Sequence, residues 1–117
     1  MKIFWTAFAK RELRNIYDYY KLKASPKIAQ KLITEIIEQT NILDFQTKIG
    51  QKEDLLSDRK ENFRYLVSKN YKIIYWFNKE RNRIEIVDIF DTRQNPFKNR
   101  TGKIISSRFN NLIPKTN

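Results

Sequence analysis

Phe63-Arg64-Tyr65-Leu66-Val67, Ser68-Lys69-Asn70, Tyr71-Lys72-Ile73-Ile74-Tyr75-Trp76-Phe77-Asn78, the charged stretch Lys79–Asn82, and Ile84-Glu85-Ile86-Val87-Asp88-Ile89-Phe90-Asp91 follow one another with only Arg83 between the last two. Three runs rich in β-branched and aromatic residues, joined by two short polar turns, predict an antiparallel meander. Side chains on a strand alternate between faces. Along the middle run Tyr71, Ile73, Tyr75 and Phe77 therefore share one face, and Lys72, Ile74 and Trp76 share the other. The first set is apolar and aromatic throughout, so it is the face expected to meet a second layer. The other set begins with a cation and is the candidate exposed face.

The second layer is written upstream. Ala29, Leu32, Ile33, Ile36, Ile37, Thr40 and Leu43 recur at helical spacing behind Ser25-Pro26, a capping side chain followed by a first-turn proline. A helix is predicted from Pro26 to Leu43. Ala9, Leu13, Ile16, Tyr17 and Tyr20 form another such stripe, opposite Lys10, Arg11, Arg14, Asn15 and Asp18, which predicts a helix from Ala7 to Lys23. The Ala24-Ser25 link is short enough to make the two an antiparallel hairpin. Lys2 to Thr6 reads as a short strand ending in a helix cap. Residues 44–61 are polar and aperiodic, so an irregular crossing is expected, with one short turn and with Ile49-Gly50 and Leu55-Leu56 as pinning points. Asn95-Pro96 is expected to end the sheet.

The fold class is therefore α+β, in the order β-α-α-β-β-β, with a helical hairpin packed on one face of a small, mostly antiparallel sheet. Residues 1–97 form one domain. Residues 98–117 are a basic extension, either flexible or a short helix with Ile105, Phe109, Leu112 and Ile113 on one face. The second face of the sheet stays open unless this tail or a partner covers it.

Charge and composition narrow the chemistry. The chain has 117 residues, with 24 Lys and Arg against 13 Asp and Glu, for a net charge of +11. Such a field favours an anionic partner, whether nucleic acid, acidic protein or a phosphate surface. With no Cys there is no disulfide, thiolate metal site or Cys nucleophile. With no His, the usual general base and commonest metal ligand are missing. Asp88 and Asp91 lie three apart on a strand and point to opposite faces, so they make a poor metal site. No cofactor or metal is expected. The longest apolar run, Ile73 to Phe77, is far below the ~20 residues of a bilayer helix, so no membrane partner and a cytoplasmic location are expected.

Several patterns together resemble the RelE/ParE superfamily, the toxin halves of bacterial type II toxin–antitoxin pairs. They are Ala9…Leu13…Ile16-Tyr17-Asp18-Tyr19-Tyr20, Ser25-Pro26…Ala29…Leu32-Ile33…Ile36, Ile49-Gly50…Leu55, Phe63-Arg64-Tyr65-Leu66-Val67…Tyr71-Lys72-Ile73-Ile74-Tyr75 and Ile89-Phe90-Asp91-Thr92-Arg93-Gln94-Asn95-Pro96. The resemblance implies one of two activities. A RelE-like toxin is a ribosome-dependent endoribonuclease that cleaves messenger RNA through Lys and Arg on the open sheet face, with a Tyr or His near the end of the sheet. A ParE-like toxin binds and inhibits DNA gyrase without a nuclease site.

Carried onto this chain, the nuclease cluster would be Arg64, Lys72 and Arg93, stabilising charge on the reacting phosphate. The residues after Arg93 are Gln94, Asn95, Pro96 and Phe97, with no Tyr or His, so proton transfer would fall to a Lys or to Tyr65 or Tyr71. That departure, with the tyrosine-rich first helix and the Ser25-Pro26 junction, favours the ParE-like branch. Tyr17, Tyr20, Trp76 and Arg93 are then the candidate partner-binding residues. Each of these residues also has a purely structural role open to it: the tyrosines as packing residues, Trp76 as core, and Arg93 as half of a surface ion pair with Asp91. The implied partners are an acidic cognate antitoxin, gyrase (or the ribosome and mRNA in the other branch), and operator DNA bound through the toxin–antitoxin complex.

Overall fold

The computed structural model describes residues 2–93, which contain β1 (Lys2–Trp5), α1 (Ala7–Lys23), α2 (Pro26–Thr40), β2 (Gln51–Lys52), β3 (Arg64–Ser68), β4 (Tyr71–Asn78) and β5 (Arg83–Asp91). The strands lie in the order β1-β5-β4-β3-β2; β1 is parallel to β5 and the other pairs are antiparallel. The expected boundary at residue 97, the extension 98–117 and the turn at Asn95-Pro96 lie outside the described residues.

Both helix starts form as their cap residues dictate. The Thr6 hydroxyl accepts from the Ala9 amide at 3.2 Å and the Ser25 hydroxyl accepts from the Ile28 amide at 3.1 Å, satisfying two amides that have no intrahelical partner. The second helix ends three residues sooner than its stripe predicts. At Thr40 the hydroxyl donates to the Ile37 carbonyl at 2.7 Å, and the chain tightens into a 3-10 turn, Asn41–Asp44, that still buries Leu43 completely.

The helix-facing side matches its period-two reading. Tyr71, Ile73, Tyr75 and Phe77 of β4 pack with Ala9, Leu32 and Ile36 of the helices, and Ile84, Ile86 and Ile89 of β5 join them. Three isoleucines at 84, 86 and 89 do not share a face on a regular strand. A bulge makes them do so: Tyr75 pairs with Ile86 and Ile74 with Asp88, leaving Val87 as the extra residue. The bulge turns Asp88 and Val87 to the reverse face and keeps all three isoleucines under the helices.

The reverse face is not left bare. Leu56 and Phe63, 1% and 2% exposed, close over Ile74 and Val87, with Phe8, Tyr65, Trp76 and Phe90 around them. The expected open sheet is therefore open over only part of its length. The cover is the crossing segment, which holds a 3-10 turn at Asp54–Leu56 and, beyond expectation, the short strand β2. Gln51 and Lys52 are both exposed and pair through backbone alone, so no side-chain pattern announces the strand.

Of the pinning points, Leu56 is buried and Ile49 is 47% exposed. Gly50 is the tightest. Its amide donates to the Tyr75 hydroxyl at 2.9 Å, and a Cβ there would lie 2.6 Å from both that oxygen and the Tyr65 carbonyl. Only glycine lets the crossing lie this close to the sheet.

Candidate functional site

The three candidate phosphate-binding cations do not meet. Cross-strand partners share a face, and Arg64 pairs with Tyr75 while Lys72 pairs with Val67 and Phe90. Arg64 therefore belongs to the helix-facing side and Lys72 to the reverse, which corrects the expectation that Arg64, Lys72 and Arg93 converge on one face. The Arg64 guanidinium is committed to the crossing segment, donating to the Gly50 carbonyl at 2.8 Å.

Lys72 is ion-paired with Glu53, and the two side chains are only 18% and 4% exposed. The Lys72 ammonium also lies 4.0 Å from the centre of the Tyr65 ring. This cation holds the crossing segment over the reverse face rather than presenting itself to a ligand. Arg93 stands beyond the end of β5, 68% exposed, and pairs with Asp91 at 2.5 Å.

The proton-transfer candidates fare similarly. Tyr71 is 6% exposed, and burial first, then the neighbouring Tyr20 hydroxyl, push its phenol well above the ordinary range. A phenol held protonated in this way is a weak general base near neutral pH. The Tyr65 hydroxyl donates to the Gln51 side-chain oxygen at 2.9 Å, over the backbone pairing of β2 and β3.

The candidate partner-binding residues divide between two places. Tyr20 packs against the helix-side core, edge-on to Tyr19 with ring centres 5.1 Å apart. Tyr20 and Tyr71 both act electrostatically on Arg93, so Tyr20, Tyr71, Asp91 and Arg93 form one polar cluster where α1 ends over the sheet. There the Arg93 hydrogen bonds hold the Asp91 carboxyl below its usual range, against a smaller opposing effect of burial, and Asp91 in turn raises Arg93. Tyr17 is half-buried on α1.

Trp76 is on the reverse face. Its ring is edge-on to Phe63 at 6.3 Å, at the border of the small reverse core. It is part core and part surface, and it does not share a patch with Tyr20 and Arg93.

A groove of about 810 Å3 opens where the crossing segment stops covering the reverse face. Trp76 and Phe4 floor it, the start of α1 contributes Phe8 and Arg11, and the β4–β5 turn contributes Arg81. Phe4 and Trp76 flank Glu85 across three adjacent strands, because Glu85 pairs with both. Sequence reading singled out Trp76 alone. The only signal for the rest was the alternation of β1, which places Phe4 on the side opposite Ile3 and Trp5.

A family model and one solved structure agree with this architecture. Residues 3–96 match the family model described as the ParE toxin of the type II toxin–antitoxin system parDE. A chain of the chromosomal ParDE toxin–antitoxin system from P. aeruginosa is similar in structure, with a TM-score of 0.65 and 25% identity over 78% of this chain and 95% of that one. A chain of the RelBE2 toxin–antitoxin complex from Mycobacterium tuberculosis is more distant, at a TM-score of 0.46 and 15% identity over 77% of this chain and 95% of that one. No curated protein sequence matches. The family model spans most of the chain, and it therefore belongs to the ParE toxins of type II toxin–antitoxin systems, the ParE-like branch of the RelE/ParE superfamily.

Proposed function

We propose that this toxin acts by binding, not by cutting: it inhibits DNA gyrase in the cytoplasm and is neutralised by an acidic cognate antitoxin. The toxin–antitoxin complex in turn binds its own operator DNA. Membership of the ParE family supports the reading. The observation that carries it is the separation of Arg64 and Lys72 onto opposite faces of the sheet, each engaged by the crossing segment. Phosphoryl transfer needs cations preorganised around one developing charge, and two groups on opposite faces of a sheet cannot supply that together.

A strongly basic toxin also suits an acidic partner that orders itself on binding and masks the charge. No helix among the described residues is long and apolar enough to cross a membrane.

Purified toxin in excess should stop supercoiling by purified gyrase, and adding antitoxin should restore it. Gyrase at full activity under that excess overturns the proposal. Messenger RNA cut on induction, mapped by primer extension and abolished by Arg93→Ala, would replace it with the RelE-like ribosome-dependent reading.

A further inference from the structure

We infer that the groove on the uncovered half of the reverse face is where the antitoxin's acidic segment docks, seating an apolar side chain on Phe4 and Trp76 and its carboxylates on the rim. The identity of the partner rests on the toxin reading; the chemistry of the groove does not. At about 810 Å3 the groove falls within the ~300–1,000 Å3 of typical ligand clefts, room for a peptide anchor. Its floor is aromatic, and its rim carries Arg11, Lys60, Lys79 and Arg81 beside Glu61 and Glu80.

Among the described residues, Arg11, Lys60, Lys79 and Arg81, all exposed, take part in no ion pair. None of them is tied into an ion pair, unlike Lys72 and Arg93; Arg11 has a cation–π contact, 5.8 Å from the centre of the Phe8 ring. Arg83, by contrast, is paired with Glu85 at 3.0 Å and lies 3.9 Å from the centre of the Phe4 ring, stiffening the floor instead of adding to the rim.

Charge complementarity selects the occupant. Residues 97–117 of this chain carry five basic side chains and no acid, so the basic rim repels the chain's own tail. A second copy also carries +11. Nucleic acid fits less well than peptide, because Glu61, Glu80 and Glu85 line the same groove and would face a phosphate backbone. A peptide with spaced carboxylates can meet the cations and avoid those three.

A second observation points to a peptide. The Trp76 indole N–H is closed to solvent and has no acceptor among the described residues. A buried donor without an acceptor is destabilising. A small turn of the ring as a side chain seats on it would offer that N–H to a peptide carbonyl.

The test uses the full-length toxin with its purified antitoxin. Hydrogen exchange should show protection at residues 60–62 and 79–83 on complex formation. Arg11→Glu with Arg81→Glu should weaken antitoxin binding more than about tenfold, since two attractions become repulsions, and should flatten its salt dependence. In cells, that variant should still arrest growth and should escape rescue by co-expressed antitoxin.

A bound antitoxin that leaves 60–62 and 79–83 unprotected, or a loss below twofold, overturns the docking site. So does a short oligouridylate whose binding is abolished by the variant while antitoxin binding is kept, or a toxin dimer that the variant dissociates. A wild-type toxin that causes no growth arrest fails the toxin reading instead and leaves the two binding measurements to decide the groove.

Discussion

The side of the sheet under α1 and α2 is closed by two helices whose apolar residues recur every three or four positions. The reverse is closed, over part of its length, by Leu56 of an aperiodic crossing held down by the Lys72–Glu53 ion pair and by Phe63, which follows it just before β3. One closure is distributed over many contacts and the other hangs on a few. A small basic protein thus keeps surface available on its less fully closed side. The helix-facing side spends its cations on structure, with Arg64 gripping the Gly50 carbonyl. Around the groove on the reverse, four cations among the described residues take part in no ion pair.

Substitutions on the two sides should separate them. Ile36→Ala empties a fully buried site between helix and sheet and should cost about 3–4 kcal/mol in urea unfolding. Leu56→Ala should cost less, about 2 kcal/mol, because an irregular segment collapses onto a cavity more readily than a helix can. Equal losses would erase the distinction between a distributed closure and a local one.

Gly50→Ala probes the junction of the two regions. Its Cβ meets the backbone carbonyl of Tyr65, which cannot swing aside, so a loss of about 1–3 kcal/mol is expected. Tyr75→Phe removes the acceptor of the same buried amide and should cost about 1–2 kcal/mol. An unchanged denaturation midpoint in either variant would show that the crossing is not pinned at Gly50.

The smallest effect is a pH slope on the helix-facing side. Tyr71 ionises at a higher pH in the fold than in the unfolded chain, whose phenol titrates near 10. Its contribution is fully present below pH 10 and falls as pH rises from there toward the folded value, because only the unfolded chain gives up the proton in that window. Tyr75, raised mainly by burial, adds a slope of the same sign. Tyr71→Phe should flatten the alkaline limb of a stability–pH curve and leave the neutral region of that curve without a slope, as before. An equally steep alkaline limb in the variant would remove Tyr71 as the cause.

Much of this architecture was legible because its signals are periodic. The stripe from Ala9 to Tyr20, the caps at Thr6 and Ser25, and the odd-numbered face of β4 each follow from local geometry that tertiary packing reinforces. The second closure carries no such period. Leu56 could be read only as an apolar pinning point and Phe63 only as the head of a strand run, with no period to say which face they close, and β2, which pairs by backbone, left no pattern to read.

The cationic cluster misled for a related reason. Arg64, Lys72 and Arg93 are basic residues of one sheet region, but which face each occupies depends on register, and register is set by pairing that one strand's sequence does not contain. The bulge at Val87 is equally silent until Ile84, Ile86 and Ile89 are seen to share a side.

The half-closed reverse face is tested most directly by the relative reactivity of its lysines. Brief treatment of the folded protein with an acylating reagent, followed by mass analysis of the peptides, reads each amine separately. Lys72, beneath the crossing segment and paired with Glu53, should be modified far more slowly than Lys60 and Lys79 on the groove rim. Equal rates at all three would mean that the crossing does not cover the sheet, and that Lys72 is open to a ligand after all.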